Sequence, residues 1–251
     1  MNTNPWLHYS LLPPSMRVAY TLTLVVLGVG YMFAMLHVVS SHAGRDGNPM
    51  LSVDDLIIAY SGSKQDTRME AAIKGPMAAM LPQQEAATIT AWVRGGATRQ
   101  QYDAEIDKVM ENRCIRCHDG SNPHIPNLVG YAKTMEMVQL DTGMTIFTLI
   151  RVSHIHLFGI TFIFFIVSII FSHAHMNPPW VKSMIVAIPF LAIIADIASW
   201  YLTKIYAPFA WIVLISGAMM GVCFAIEWLV SIYQMWFYKG ALELNVEEDV
   251  I

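Results

Sequence analysis

The chain has 251 residues, 55% of them hydrophobic and only 14% charged, with a mean hydropathy of +0.45. An ordinary soluble domain carries nearer a quarter charged residues, so the composition excludes intrinsic disorder and speaks against a single water-soluble globule. Nineteen acids against fifteen bases give a net charge of −4, and no basic run or patch suits a nucleic acid, so that partner class is set aside.

Four apolar stretches are each long enough to cross a hydrocarbon core of ~30 Å, which takes about 20 helical residues. They predict an all-α chain with transmembrane helices at 18–39, 145–171, 181–202 and 207–238, after a tail at 1–17. The first span carries no charge and is longer than the roughly 7–15 residues of a signal peptide's apolar region, so it reads as an uncleaved anchor. Pro178 and Pro179 mark the turn between the second and third spans. Pro208 opens the fourth, where a missing N–H does little harm. Residues 40–144 hold ten of the fifteen basic residues and read as a small soluble helical domain inserted between the first two spans. The acidic tail 239–251 reads as solvated. Arg17, Lys182 and Lys239 flank one side of the spans and Lys204 the other, which favours a cytoplasmic N-terminus and places the insert outside.

Inside the insert, Cys114-Ile115-Arg116-Cys117-His118 has the C-x-x-C-H spacing of covalent haem attachment. The spacing puts both sulfurs on one side of a helical turn, where they reach the two vinyl groups of one porphyrin, and brings His118 under the iron as proximal ligand. The same cysteine spacing serves a thioredoxin-like redox pair or half a zinc site. The first wants a βαβ context and the second two further ligands at matched spacing, and neither is visible. Tyr102 to Met110, just before the motif, reads as an amphipathic helix running into it.

With Pro126-Asn127-Leu128 following the motif, the insert resembles the class I c-type cytochromes, small helical domains that carry one haem for electron transfer. In that family a methionine ligand and a last helix come after the motif. Here the segment that resembles them lies upstream, in Gly75 to Glu85 followed by Ala86 to Val93. The resemblance therefore implies a circularly permuted order, which compact domains tolerate because their termini lie close together. It implies one covalent haem c on Cys114, Cys117 and His118, with Met77 as distal ligand and Met80 and His124 as the alternatives. It also implies a bacterial cytoplasmic membrane with the haem domain in the periplasm.

A charge at mid-bilayer costs ~2.5–3.5 kcal/mol on insertion scales, so polar residues in the spans are functional candidates. At ~1.5 Å per residue, His154 lies about 13 Å, Asp196 about 10 Å, Arg151 about 9 Å and His37 about 4 Å below the outer surface. One use is a second, b-type haem between His154 and His37, with Arg151 facing a propionate from the same helix face. His156 points about 200° away from His154 and cannot share its axial site. Another use is quinol oxidation, with Asp196 or a histidine taking the proton. The third is that these groups only satisfy one another. His173, His175 and Glu227 fall near the inner surface and read as interfacial, Cys223 reads as packing, and Gly217-x-x-x-Gly221 allows close helix approach.

The expectation is thus a membrane-bound c-type cytochrome in contact with lipid and with a quinol or redox protein, within a larger membrane complex. The alternatives are a quinol:cytochrome oxidoreductase with an intramembrane b-type haem, and a haem-based sensor or assembly factor.

Overall fold

The computed structural model describes residues 8–123 and 125–238. His124, the third expected distal ligand, lies outside them, as does the acidic tail 239–251. Among the described residues the chain is helical, without strands; a single antiparallel bridge joins Thr67 to Leu140. It divides into two compact units, 1–36 with 146–251 and 37–145.

The membrane unit is built on four helices: α1 (Pro14–His42, whose last residues enter the other unit), α7 (Ile146–Phe171), α8 (Pro179–Ile205) and α9 (Ala210–Trp236). All four are long and apolar enough to cross a membrane, so this is a multi-pass membrane protein. α1 and α8 outrun their expected spans by two to four residues at each end, whereas α7 and α9 fall just inside theirs; Pro178 and the Pro208 turn bound α8. α8 packs against both α7 and α9. α1 buries only Leu24, and it is held to α9 by reciprocal fits. Gly28 leaves room for Trp228, whose indole donates to the Leu24 carbonyl at 2.7 Å. Gly221 leaves room for the Tyr31 hydroxyl, and the Tyr31 ring stacks on Phe224 at 4.4 Å. Of the expected small-residue pair, only Gly221 is used this way; a side chain at Gly217 would meet open space.

The soluble unit is a set of short helices: α2 (Val53–Ser61), α3 (Arg68–Lys74), α4 (Gln83–Arg94), α5 (residues 99–114) and α6 (Gly130–Met135). Local chemistry fixes their starts. Ser52 with Asp55 and Thr67 with Glu70 form capping boxes, and the Thr98 hydroxyl caps α5. The core gathers Met69, Ile89, Trp92, Val93, Ala97, Tyr102, Ile106, Met110 and Leu128, with Cys114 and Ile115 packed on its edge. The two ends of the unit are tied together where Gly62 (φ +83°) meets Gly143 (φ +69°). A Cβ on Gly62 would lie 2.1 Å from the Asp141 carbonyl oxygen, and one on Gly143 2.3 Å from that of Tyr60, so only glycine fits either place.

Among the described residues Glu70 is one of three buried acids in the unit, with Asp55 and Asp141. It accepts from the Thr67 amide at 2.9 Å and from Arg94 Nε at 2.8 Å. Burial opposes its charge, but the Thr67 amide, the Arg94 guanidinium and the Thr67 hydroxyl together hold the carboxyl below its ordinary value of 4.5. A carboxyl depressed in the folded state contributes stability that is complete above its unfolded value and is lost as pH falls through the folded one. Resistance of the full chain to proteolysis within residues 53–138 is therefore expected to drop below about pH 4. E70Q is expected to lose about 1.5–3 kcal/mol at neutral pH and to show a smaller acid-dependent drop; an unaltered acid profile in E70Q would refute this role.

Candidate functional site

The cysteine pair sits at the end of α5, which is widened rather than regular. Two π-helical stretches, Tyr102–Ile106 and Met110–Cys114, make the helix expected over Tyr102 to Met110 longer and wider than a plain α-helix. Such wide turns recur at functional sites. The second ends on the motif: the Ile115 amide donates to Met110 at 2.9 Å, and the Cys117 and His118 amides both donate to the Cys114 carbonyl, at 3.1 and 2.9 Å. The five motif residues thus close one turn. Cys114 is half-buried against the core, while Cys117 is exposed.

His118 is oriented from the segment that follows. Its Nδ1 is 2.8 Å from the Pro126 carbonyl oxygen, and its own carbonyl accepts from the Leu128 amide at 2.9 Å. A carbonyl only accepts, so Nδ1 carries the ring proton and Nε2 is left with a bare lone pair. A metal-binding histidine is held in this way, its second nitrogen committed to a carbonyl or carboxylate. The loop that supplies Pro126 is itself fixed. Gly120 (φ +86°) lies against Asn127, whose side chain a Cβ there would meet at 2.5 Å, and Asn127 Oδ1 accepts from Val129 at 2.9 Å. Leu128 enters the core, and its carbonyl accepts from the buried Thr134 hydroxyl at 3.2 Å.

The surroundings of Cys114 are not those of an activated thiol. Burial, and then the nearby Glu85 carboxylate, push the Cys114 thiol up, whereas a nucleophilic cysteine needs an electropositive setting. Glu85 is engaged by Arg113 through two hydrogen bonds of 2.8 and 3.0 Å. Among the described residues no three His, Cys, Asp or Glu side chains converge to hold a metal ion. A porphyrin brings four nitrogens of its own and asks the protein for one or two ligands, so the donor set of Cys114, Cys117 and His118 fits haem and falls short of zinc. A cleft of about 370 Å³ beside the motif is lined by Glu85, Lys108, Val109, Asn112 and Arg113; these mostly charged walls do not suit the apolar faces of a porphyrin.

Met77 precedes and Met80 ends a short 3-10 turn, Ala78–Met80, fixed by Met77 N–H to Ala72 at 2.9 Å and Met80 N–H to Met77 at 3.0 Å. Met77 is half-buried and Met80 is 72% exposed. Leu81, next in sequence, packs on the core that also carries Cys114 and Ile115. The methionine segment and the motif therefore belong to one unit.

In the membrane unit the expected polar cluster separates. Asp196 is buried beside the Trp200 indole, and the Trp200 ring meets His156 edge-on at 5.3 Å. His156 donates from Nδ1 to the Val152 carbonyl at 3.0 Å. One turn away, Ser153 and Tyr201 share a hydrogen bond of 3.0 Å. Arg151 is half-buried, but His154 is exposed. His37 is also exposed and belongs to the other unit, where its ring lies 3.3 Å from the Ser41 hydroxyl. Sequence reasoning passed over the densest polar group, which surrounds Glu227. That carboxyl is fully buried within the bundle and bonded to Ser168. The available signal was the cluster of His8, Tyr9, Ser168, His173 and Glu227 near one end of the bundle.

With its thiols free, the chain is expected to react with maleimide at Cys117 first, at Cys114 several-fold more slowly, and at Cys223 only on unfolding, as read by peptide mass mapping. Equal rates at Cys114 and Cys117 would contradict the half-burial of Cys114.

Residues 138–242, which contain α7, α8 and α9, match a family described as a transmembrane helical domain. The match covers less than half of the chain. No curated protein and no solved structure matches it.

Proposed function

We propose that this chain is a membrane-bound c-type cytochrome. Cys114 and Cys117 hold one haem through thioether bonds, and His118 ligates its iron. The chain passes electrons between a membrane donor, a quinol or a subunit of a respiratory complex, and a redox partner on the periplasmic side of a bacterial cytoplasmic membrane. The observation that carries this reading is the 2.8 Å contact of His118 Nδ1 with the Pro126 carbonyl, which leaves Nε2 as the available ligand one residue after the second cysteine.

When bound, the haem supplies a reversible one-electron iron couple. The work of the chain is to hold and tune it. The Pro126 carbonyl fixes the tautomer and the ring orientation of His118 and raises its basicity as a ligand. Met77, with Met80 as the alternative, would be the second protein ligand to the iron; a thioether in that role raises the reduction potential relative to a second imidazole. The order of elements, with the methionine turn and α4 preceding the motif helix, supports the permuted relation to class I cytochromes.

A pyridine haemochrome spectrum of the purified chain is expected to show one c-type haem per polypeptide. The pigment should resist acid–acetone extraction and be lost in C114A/C117A. M77A is expected to change the visible spectrum. Colourless or extractable material would end the reading, and unchanged spectra in both M77A and M80A would overturn the methionine assignment.

The buried Asp196, beside Trp200 and His156, favours a second reading in which the same chain oxidises a quinol. Asp196 would accept one of the two hydroxyl protons released as the quinol passes its two electrons, one after the other, to the acceptor, the second proton leaving to solvent. The purified chain is then expected to reduce an added acceptor from a short-chain quinol, and D196N to slow turnover at least tenfold without altering the haem spectrum. Equal turnover in D196N would exclude Asp196 from the step.

A further inference from the structure

Glu227 lies nine residues before the end of α9 and is fully buried. The Ser168 hydroxyl of α7 is 3.2 and 3.1 Å from its two oxygens. Among the described residues it forms no ion pair. Among the described residues, the lysine and the arginine at this end of the bundle are engaged with backbone carbonyls: Lys182 of α8 with Ser172 and Ala174, the latter at 2.8 Å, and Arg17 of α1 with Met235. Arg17 also stacks over Trp236 at 4.5 Å. An ionised carboxylate in apolar surroundings without a cation is costly by several kcal/mol. The same group carrying a proton is a neutral acid that can both donate and accept.

The other ionisable groups around Glu227 form a polar track away from it. Tyr9, from the turn before α1, and Cys223, one turn earlier on α9, lie within its electrostatic reach; Tyr20 and Tyr31 are the phenols of α1. Tyr9 is fully buried, donates to the Ile170 carbonyl at 2.6 Å and faces Ser231. Its ring centre is 5.8 Å from that of His173 and 5.6 Å from that of His8. His173 Nε2 is 3.5 Å from the Tyr20 hydroxyl, and His8 Nε2 is 3.3 Å from Gln234 Oε1. Gln234 holds the chain at His175, accepting from its amide at 2.6 Å and donating to its carbonyl at 2.7 Å. His8 and His173 are half-buried and His175 is exposed, so the track runs from a buried carboxyl to imidazoles that reach the end of the bundle. Hydroxyls both donate and accept, and imidazole exchanges protons near neutral pH.

We propose that Glu227 is a proton-binding site of the membrane unit, loaded and unloaded at the end of the bundle formed by Tyr9, Ser231, His8 and His173. Loading adds one proton to the carboxylate from an imidazolium, unloading returns it to an imidazole, and no electron moves. The site is independent of the cytochrome reading and uses none of its residues.

The test uses the purified full chain in detergent with dicyclohexylcarbodiimide, which modifies protonated carboxyls in apolar surroundings. Glu227 is expected to carry the adduct, read by mass spectrometry, with yield falling several-fold as pH is raised; E227Q should carry no adduct at this position. S168A, which only removes a hydroxyl, is expected to move the pH midpoint upward, because a donor to the charged form is lost. In infrared spectra the carboxylic acid band absent from E227Q should shift on transfer to deuterated water, and Y9F should slow that shift. A Glu227 that stays unmodified in the folded chain at every pH, or a yield that does not depend on pH in either wild type or S168A, would overturn the proposal. An exchange rate unchanged in Y9F would overturn the route.

Discussion

Hydrocarbon offers no water to a polar side chain, so every such group in a spanning helix has to be satisfied by protein. In the membrane unit, Ser199 donates to Ala195, Thr203 to Ser199 and Ser172 to Ser168, each at 2.7 Å and each back to its own helix. The longer-range bonds join helices: Ser153 with Tyr201, Ser168 with Glu227, and Trp228 with the Leu24 carbonyl. Apolar area alone gives helices little reason to associate in lipid, since the tails are as apolar as leucine. That is why α1, which buries a single leucine, is fastened by glycine-and-aromatic fits and by donors to backbone carbonyls.

The soluble unit solves the opposite problem. Its chain is short-helical and rich in turns, and many of its amides have no helical partner. Three buried carboxylates are spent on them. Asp55 accepts from the amides of Asp46 and Ser52, Glu70 from that of Thr67, and Asp141 from those of Ser63 and Gly143, all at 2.9–3.1 Å. A carboxylate so committed is a staple and not a catalyst, because its lone pairs are already used. His118 follows the same economy with one difference. Among the described residues only one of its nitrogens is taken up by the fold, through the Pro126 carbonyl.

Much of this was legible in the residues. Four spans follow from hydropathy, because a spanning helix must be apolar along its whole length. The helix starts of the soluble unit are written in Ser52, Thr67 and Thr98, whose hydroxyls act within three residues. The C-x-x-C-H turn is equally local, and Pro126-Asn127-Leu128 marked the loop that reaches back to His118. What could not be read was which face of a spanning helix meets its neighbours. Arg151 and His154 share a face by spacing, yet His154 is exposed and the half-buried imidazole is His156, because contact with Trp200 of α8 decides the matter. The enclosure of Glu227 is hidden for the same reason: distance along one helix gives its depth, but Ser168 and Tyr9, which lie about it, come from other segments far away in sequence.

The state of the thiols and the state of His118 have to be considered together. A dithiol that works by redox exchange needs a sulfur made acidic by a helix N-terminus or a nearby cation. Cys114 is pushed the other way, by burial and by Glu85, and the neighbouring cation Arg113 is already paired with that same Glu85. A fixed tautomer serves an imidazole base as well as a metal ligand, so the state of the sulfurs has to decide between the two. The Pro126 carbonyl imposes such a tautomer, at the cost of ordering a loop that contains Gly120 in a left-handed conformation. Ordering of that kind is intelligible when the lone pair on Nε2 must be aimed at a fixed point one residue beyond two sulfurs, and a covalently held porphyrin iron is such a point.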